Sequence, residues 1–326
     1  MRFTPLIQSS QQVTIVANTQ KGFTLIELMI SILLGSFLML GLFQLFQSSS
    51  QTNRLQNAYA RTMENALVAI ELLSRDIRMA DFRGCSAITA ITNHLDTTDS
   101  DYDAATMDFL AQGLDGQNNV NNQTIDGTSV INNTDVLLIR GSRDACSGTG
   151  RMMPSLSSAS MFVSTDCEVE ANQIVMLSNC SAGELFTITN VTPATVAGNT
   201  KKTIVHNTGN PAAGAVKNTT KTFAGIYSSE SYLLVPYVKQ YFLAEGTNGP
   251  SLFVNDSGIE QELVPGVTSL QFEYGEDTNG DGAVDTYKDA ATANMDEVIN
   301  IRTTLVVTNG DHTEGFDTVT NIRNRR

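Results

Sequence analysis

From Leu25 to Phe46 the chain runs through 22 residues with a single charged side chain, Glu27. As an α-helix rising 1.5 Å per residue, this run is roughly 33 Å long and reaches across the hydrocarbon layer of a bilayer. A carboxylate near one end of such a segment is costly to bury, which makes Glu27 a candidate functional residue. Lys21, Gly22, Phe23 and Thr24 stand immediately before the run. The glycine therefore precedes the apolar stretch, whereas an ordinary secretory signal places a small-residue cleavage site after it. Arg2 and Lys21 are the only charges before Gly22, and they fit a cytoplasmic amino terminus under the positive-inside rule.

Helical character continues beyond Phe46. Leu55, Tyr59, Met63, Ala66, Ile70, Leu73 and Ile77 recur at three- and four-residue steps, with Leu67 flanking the stripe. Arg54, Arg61, Glu64, Glu71, Arg75, Arg78 and Asp81 occupy much of the remaining surface. No proline lies between Phe23 and Cys85, so one helix of more than 50 residues is expected. Its first half is apolar on every side, and its second half carries one stripe that needs a sheet to lie against.

Past Gly84 the composition changes. Residues 93–133 are rich in Asn, Asp, Thr and Gly and read as a long loop or insertion, with Phe109 and Leu110 as apolar anchors. Strands are expected at 136–139, 161–163, 173–177, 184–189, 203–205, 232–235, 240–243, 267–274 and 298–307. Leu270 to Tyr274 alternate apolar and polar residues, the pattern of a half-buried antiparallel strand. Asn248-Gly249-Pro250 and Pro265-Gly266 punctuate the series. The fold class is α+β: a long amino-terminal helix packed on an antiparallel sheet with large loop insertions.

The net charge of −14 argues against a groove that tracks nucleic-acid phosphates, because only Arg323, Arg325 and Arg326 make a basic cluster. Four cysteines, Cys85, Cys146, Cys167 and Cys180, all follow the apolar run, and none forms a C-x-x-C pair. Their even number on the exported side points to two disulfides. The short loop favours Cys167–Cys180, which leaves Cys85–Cys146. His94, His206 and His312 lie in polar stretches and read as solvated surface residues.

Asp277-Thr278-Asn279-Gly280-Asp281-Gly282-Ala283-Val284-Asp285 has the spacing of a calcium loop. Asp277, Asn279, Asp281 and Asp285 fall at positions one, three, five and nine, Ala283 offers a carbonyl at seven, and Gly282 makes the turn at six. Position twelve is Lys288 in place of a bidentate Glu, and Asp289 is the nearest substitute. A structural Ca2+ is the reading; an Asp/Gly-rich hairpin turn without metal is the alternative. For catalysis the chain lacks the nucleophile-elbow, zinc-protease, P-loop and dinucleotide-binding patterns. Ser142, Arg143 and Asp144 follow a strand with no histidine nearby in sequence. A non-enzymatic protein is expected.

Lys21 to Leu28 resembles the class III signal sequence of type IV pilins and type II secretion pseudopilins. The resemblance implies cleavage by the prepilin peptidase between Gly22 and Phe23 and methylation of Phe23. It also implies that Glu27 pairs with the amino-terminal amine of a neighbouring subunit. More narrowly, Arg78 to Cys85, Leu263 to Val267, Phe272 to Gly275 and Val298 to Arg302 resemble PilW-type minor pilins. The implied organisation is a leader at 1–22, a membrane-spanning or filament-core half-helix at 23–46, an amphipathic half at 47–82 and an extracytoplasmic β-rich head at 83–326. The implied partners are other minor pilins, the major pilin, the prepilin peptidase and the inner-membrane assembly machinery. The implied location is the bacterial inner membrane with a periplasmic head, then the pilus. Within that frame the chain reads as a subunit of an assembly-priming or tip complex. A type II secretion pseudopilin and a tip adhesin bearing Thr/Asn-rich loops are the alternatives, and an exported anchored hydrolase is the least favoured.

Overall fold

The computed structural model describes residues 22–84, 91–103, 107, 113–147, 152–154, 159–196, 198–209, 211–225, 227–310 and 312–325. Arg2, Lys21, Cys85, Phe109 and Leu110 lie outside them. One helix, α1 (Leu25–Met79), is 55 residues long. Among the described residues eighteen strands follow: β1 (Ile91–Asn93), β2 (Leu114–Val120), β3 (Thr124–Ile125), β4 (Thr128–Ser129), β5 (Thr134–Asp144), β6 (Met152–Pro154), β7 (Ser160–Val163), β8 (Ile174–Ser178) and β9 (Gly183–Thr187). The second half comprises β10 (Asn190–Val196), β11 (Asn199–Val205), β12 (Tyr232–Gly246), β13 (Gly249–Asp256), β14 (Ile259–Pro265), β15 (Val267–Glu276), β16 (Thr286–Lys288), β17 (Val298–Asn309) and β18 (His312–Asn321). The chain divides into two compact units, one ending at Gln56 and the other beginning at Asn57.

In the first unit α1 is apolar without a core: its large apolar side chains from Leu25 to Phe46 are all exposed. It is the only helix among the described residues long and apolar enough to cross a membrane. One membrane-anchoring segment followed by an extramembranous β-rich unit is the organisation this supports.

In the second unit the largest sheet is built around β12, which is long enough to change neighbours along its length. Tyr232–Leu234 pair with β8, Leu234–Tyr241 with β5 and Lys239–Gly246 with β13. Pro236 sits where β8 has ended and β13 has not begun, so on that side no ladder is broken. β9 and β1 extend this sheet beyond β8, β14 extends it beyond β13, and β2 flanks β5. All pairs are antiparallel except β1 with β9. A second sheet has the order β10-β11-β7-β6, and a third has β16-β15-β17-β18.

The distal part of α1 packs into the main core on the expected stripe from Met63 onward, Met63 and Ile70 partly buried, and the stripe widens to take in Thr62, Ala69 and Asp76. Thr62, Ala66, Ala69, Leu73, Asp76 and Ile77 are buried, whereas Leu55, Tyr59 and Leu67 are exposed, Leu67 by 63%. Ala66 and Ala69 have little side chain, which lets the helix approach Leu137, Ile139 and Tyr241 of the large sheet and Leu270, Ile301 and Leu305 of the third. The expected loop over 93–133 also needs correcting. Within it β2 pairs with β5, held by Leu114 and Val120 buried at its two ends.

Candidate functional site

Thr24 and Glu27 close the start of α1 on each other. The Thr24 amide and hydroxyl both donate to Glu27 Oε2, at 3.0 and 2.9 Å, and the Glu27 amide donates to Thr24 Oγ1 at 3.4 Å. This is a capping box: a threonine before the first turn and a glutamate three residues on satisfy amides that the helix leaves unpaired. The arrangement offsets part of the cost of a carboxylate in an apolar segment, and it holds Glu27 in one place at the helix start. The cap was not read from the sequence; Thr-x-x-Glu ahead of the apolar run is the signal that points to it. Phe23 is exposed, and a Cβ built on Gly22 meets nothing within 4 Å. The fold itself therefore makes no demand for glycine at that position.

The other end of α1 is tied down by residues that sequence reasoning had not singled out as a site. Asp81 takes a left-handed conformation (φ 61°) and donates its amide to the Arg140 carbonyl at 2.9 Å. Its carboxylate meets Arg83 at 2.9 Å and Arg325 at 3.1 Å. Arg325 also donates to the carbonyls of Met295 and Val298. Part of the basic carboxyl terminus is thus a structural latch on the helix end. One turn earlier, Asp76 accepts from Lys239 Nζ at 2.6 Å and from the Tyr241 hydroxyl. Burial opposes ionisation of Asp76, but the bonds from Lys239 and Tyr241 outweigh it and hold the carboxyl below its ordinary value of 3.8. Burial, together with the neighbouring Asp76, pushes the Tyr241 phenol well above its ordinary range.

The Asp277–Asp285 stretch is the connection of the β15–β16 hairpin. Asp277 accepts from the amides of Gly280, Asp281 and Gly282, Asp281 from that of Ala283, and Asp285 from the amide and hydroxyl of Thr278. Asn279 donates to Asp285 and accepts from the Asp281 amide. Among the described residues no group of three or more His, Cys, Asp or Glu side chains is arranged to hold a metal. Asp289 does not close this loop. It accepts from Thr292 and Asn118 instead. Lys288 pairs with the buried Glu276 at 2.6 Å, so the twelfth position fastens the base of the hairpin. The Lys288 bond lowers the Glu276 carboxyl below its ordinary value against the cost of burial.

The disulfide pairing differs from expectation: Cys146 is bonded to Cys167. The segments carrying them run side by side, with the Glu168 amide donating to the Ala145 carbonyl at 2.6 Å. Between Cys167 and Cys180, β8 carries the chain away, and Cys180 stands in the β8–β9 turn. Cys180 is itself disulfide-bonded, and Cys85 lies outside the described residues. Two histidines also depart from the surface reading. His94 is buried against Glu184, whose other oxygen accepts the amides of Ala224 and Gly225 at 2.8 Å. His206 is buried and stacks on Phe223 with ring centroids 4.2 Å apart. Only His312 is partly exposed, paired with Glu314 at 3.0 Å.

Residues 240–323 match the family described as Type IV Pilus-assembly protein W, PilW. That span begins within β12, includes β13 to β18 with the Asp277 hairpin, and ends at Arg323 beside the latch. Residues 17–43 match the prokaryotic N-terminal methylation motif, which contains Gly22, Phe23 and Glu27. No curated protein and no solved structure matches the chain.

Proposed function

We propose that this chain, a PilW-like pilus-assembly protein and a non-catalytic structural subunit of type IV pilin or pseudopilin character, works as a minor pilin in the complex that primes or tips a type IV pilus. Its domains are those of a prepilin: a leader at 1–22, an apolar half-helix at 23–46, an amphipathic half at 47–82 and a head at 83–326. In this reading the protein waits in the bacterial inner membrane with its head in the periplasm. The prepilin peptidase then cuts between Gly22 and Phe23 and methylates Phe23, and the subunit joins other minor pilins, the major pilin and the inner-membrane machinery.

The observation that carries the reading is the capping box at Thr24–Glu27 directly behind a glycine that the fold does not need. With the leader removed, Phe23 gains a free amine one residue before Thr24. Glu27, already fixed at the helix start, is the acid in its own subunit placed to receive such an amine from a neighbour. Gly22→Asp is expected to leave the chain unprocessed, whereas Glu27→Ala is expected to be cleaved yet to assemble into few surface pili. Normal piliation by both variants would refute the reading. A secretion defect with intact pili would move the protein to a type II secretion pseudopilus.

The Asp277–Asp285 hairpin is also proposed as a weak structural calcium site. Asp277, Asn279, Asp281, Asp285 and the Ala283 carbonyl supply five donor positions, fewer than the six to eight oxygens calcium takes, so water would complete the shell. Bound there, the ion would offset the repulsion among the aspartates and stiffen the hairpin.

A further inference from the structure

At one end of the third sheet of the second unit, its two edges carry patches of opposite charge. Beside β18, Arg323 stands next to Arg75 and Arg78 on the exposed face of α1, and its amide donates to the Arg78 carbonyl at 3.2 Å. The three line a shallow cleft of about 400 Å3 in which Glu71 is the one acidic neighbour. Arg78 and Arg323 make no ion pair among the described residues, and Arg75 meets Asp76 on its own helix. At the opposite edge, the β15–β16 hairpin presents Asp277, Asp281 and Asp285, none of which has a cationic partner among the described residues. The bonds from Thr278 hold the Asp285 carboxyl below its ordinary value, so it stays charged.

Register puts both features at the same end of the sheet: Glu276 lies opposite Val298, and Asn300 opposite Asn321. Four strands spaced about 4.8 Å apart separate the two edges by about 15 Å. Copies standing side by side therefore bring the arginine cleft of one level with the aspartate hairpin of the next. Of the other acids along β18, Glu314 pairs with His312, and Asp317, which accepts from the Thr304 hydroxyl, does not line the cleft.

We infer that this sheet is a lateral docking surface for a second copy of the chain, with the Arg75, Arg78 and Arg323 cleft receiving the hairpin of its neighbour. The contact is heterologous, since each copy offers a different patch to each side, and it leaves both outer patches of a pair open to further copies. In a molecule of net charge −14, like-charge repulsion opposes most approaches, so the one complementary pair of edges selects the register. The inference uses only residues of the second unit and does not depend on pilin processing.

The test uses full-length chain in detergent micelles with excess EGTA, so that the hairpin aspartates carry no calcium, labelled in separate batches with donor and acceptor dyes. Arg78→Gln with Arg323→Gln removes the cleft and keeps the hairpin; Asp281→Asn with Asp285→Asn does the reverse. Each variant alone is expected to associate at least about fivefold more weakly than the parent. An equimolar mixture of the two is expected to recover energy transfer as a one-to-one complex that grows no further, and salt at about 0.5 M is expected to weaken it. Circular dichroism checks that both variants keep the parent fold, and the single substitutions Arg78→Gln and Asp281→Asn replace the pairs if they do not. Equal transfer in parent, variants and mixture is the signature of contact through the apolar helices alone and overturns the inference. A mixture no better than its components, or a parent that stays monomeric at its highest soluble concentration, overturns it too.

Discussion

Asp76→Ala tests whether the distal part of α1 is held by a polar clasp as well as by apolar packing. Asp76 is 5% exposed, and the Lys239 side chain beside it 18%. Truncation leaves a largely desolvated ammonium and a buried phenol hydroxyl without their acceptor, and the expected cost is roughly 3–5 kcal/mol. Asp256, 3.9 Å from the same ammonium, has a side chain that is 47% exposed and is too well solvated to take over. Asp76→Asn keeps the shape and an acceptor for Tyr241 but gives up the charge, so about 2 kcal/mol is expected. Replacing the whole group, Asp76→Leu with Lys239→Met and Tyr241→Phe, leaves no orphan and is expected to return within about 1 kcal/mol of the parent. Guanidinium denaturation of the full chain in detergent, followed by far-ultraviolet circular dichroism, gives these differences. The pH dependence has a fixed sign. Because the folded Asp76 carboxyl lies below 3.8, its contribution is complete above that value and is lost as pH falls through the folded value. The gap between parent and Asp76→Asn is therefore expected to close below about pH 4. A cost for Asp76→Ala under about 1 kcal/mol, or a triple variant no more stable than the single one, would refute the reasoning.

Other perturbations reach different parts of the fold. Cys146→Ser opens a bridge with a sequence separation of 21 and is expected to cost about 3 kcal/mol, read from the same denaturation curves. Gly266 has φ 83°, and a Cβ there would stand 2.6 Å from the Thr308 carbonyl, so Gly266→Ala is expected to lose about 1–3 kcal/mol. If the hairpin takes calcium, about 1 mM of the ion raises the melting temperature of the parent but not of Asp277→Asn with Asp281→Asn. An equal rise in both would dismiss the site.

The long helix was legible because its signals are local: an uninterrupted apolar run, no proline, and charges spaced along the surface beyond it. Its buried stripe was less legible, since Asp76 occupies a core position only because Lys239 and Tyr241 lie more than 160 residues away. The strands with apolar alternation, such as Leu270 to Tyr274, were expected where they occur. β2 was not, because Leu-Asp-Gly-Gln-Asn-Asn-Val reads as a loop until β5 supplies the partner that makes it a strand. β12 was expected as two strands, at 232–235 and 240–243, and the change of neighbours along it shows how Pro236 between them is tolerated. The cysteine pairing failed for a related reason: short separation favoured Cys167–Cys180, but β8 runs between them and carries Cys180 away into the β8–β9 turn. At the amino terminus Gly22, Phe23 and Glu27 were all visible as residues, while the bond between Thr24 and Glu27 required the helix geometry.

The central claim is that Glu27 heads the helix of a processed pilin-like subunit, and the mature amino terminus tests it most directly. Intact mass and amino-terminal fragment spectra of the chain, recovered from cells carrying a prepilin peptidase, are expected to show 304 of the 326 residues, beginning at Phe23 with one added methyl group. A retained leader, or cleavage beyond Phe46, would contradict the account.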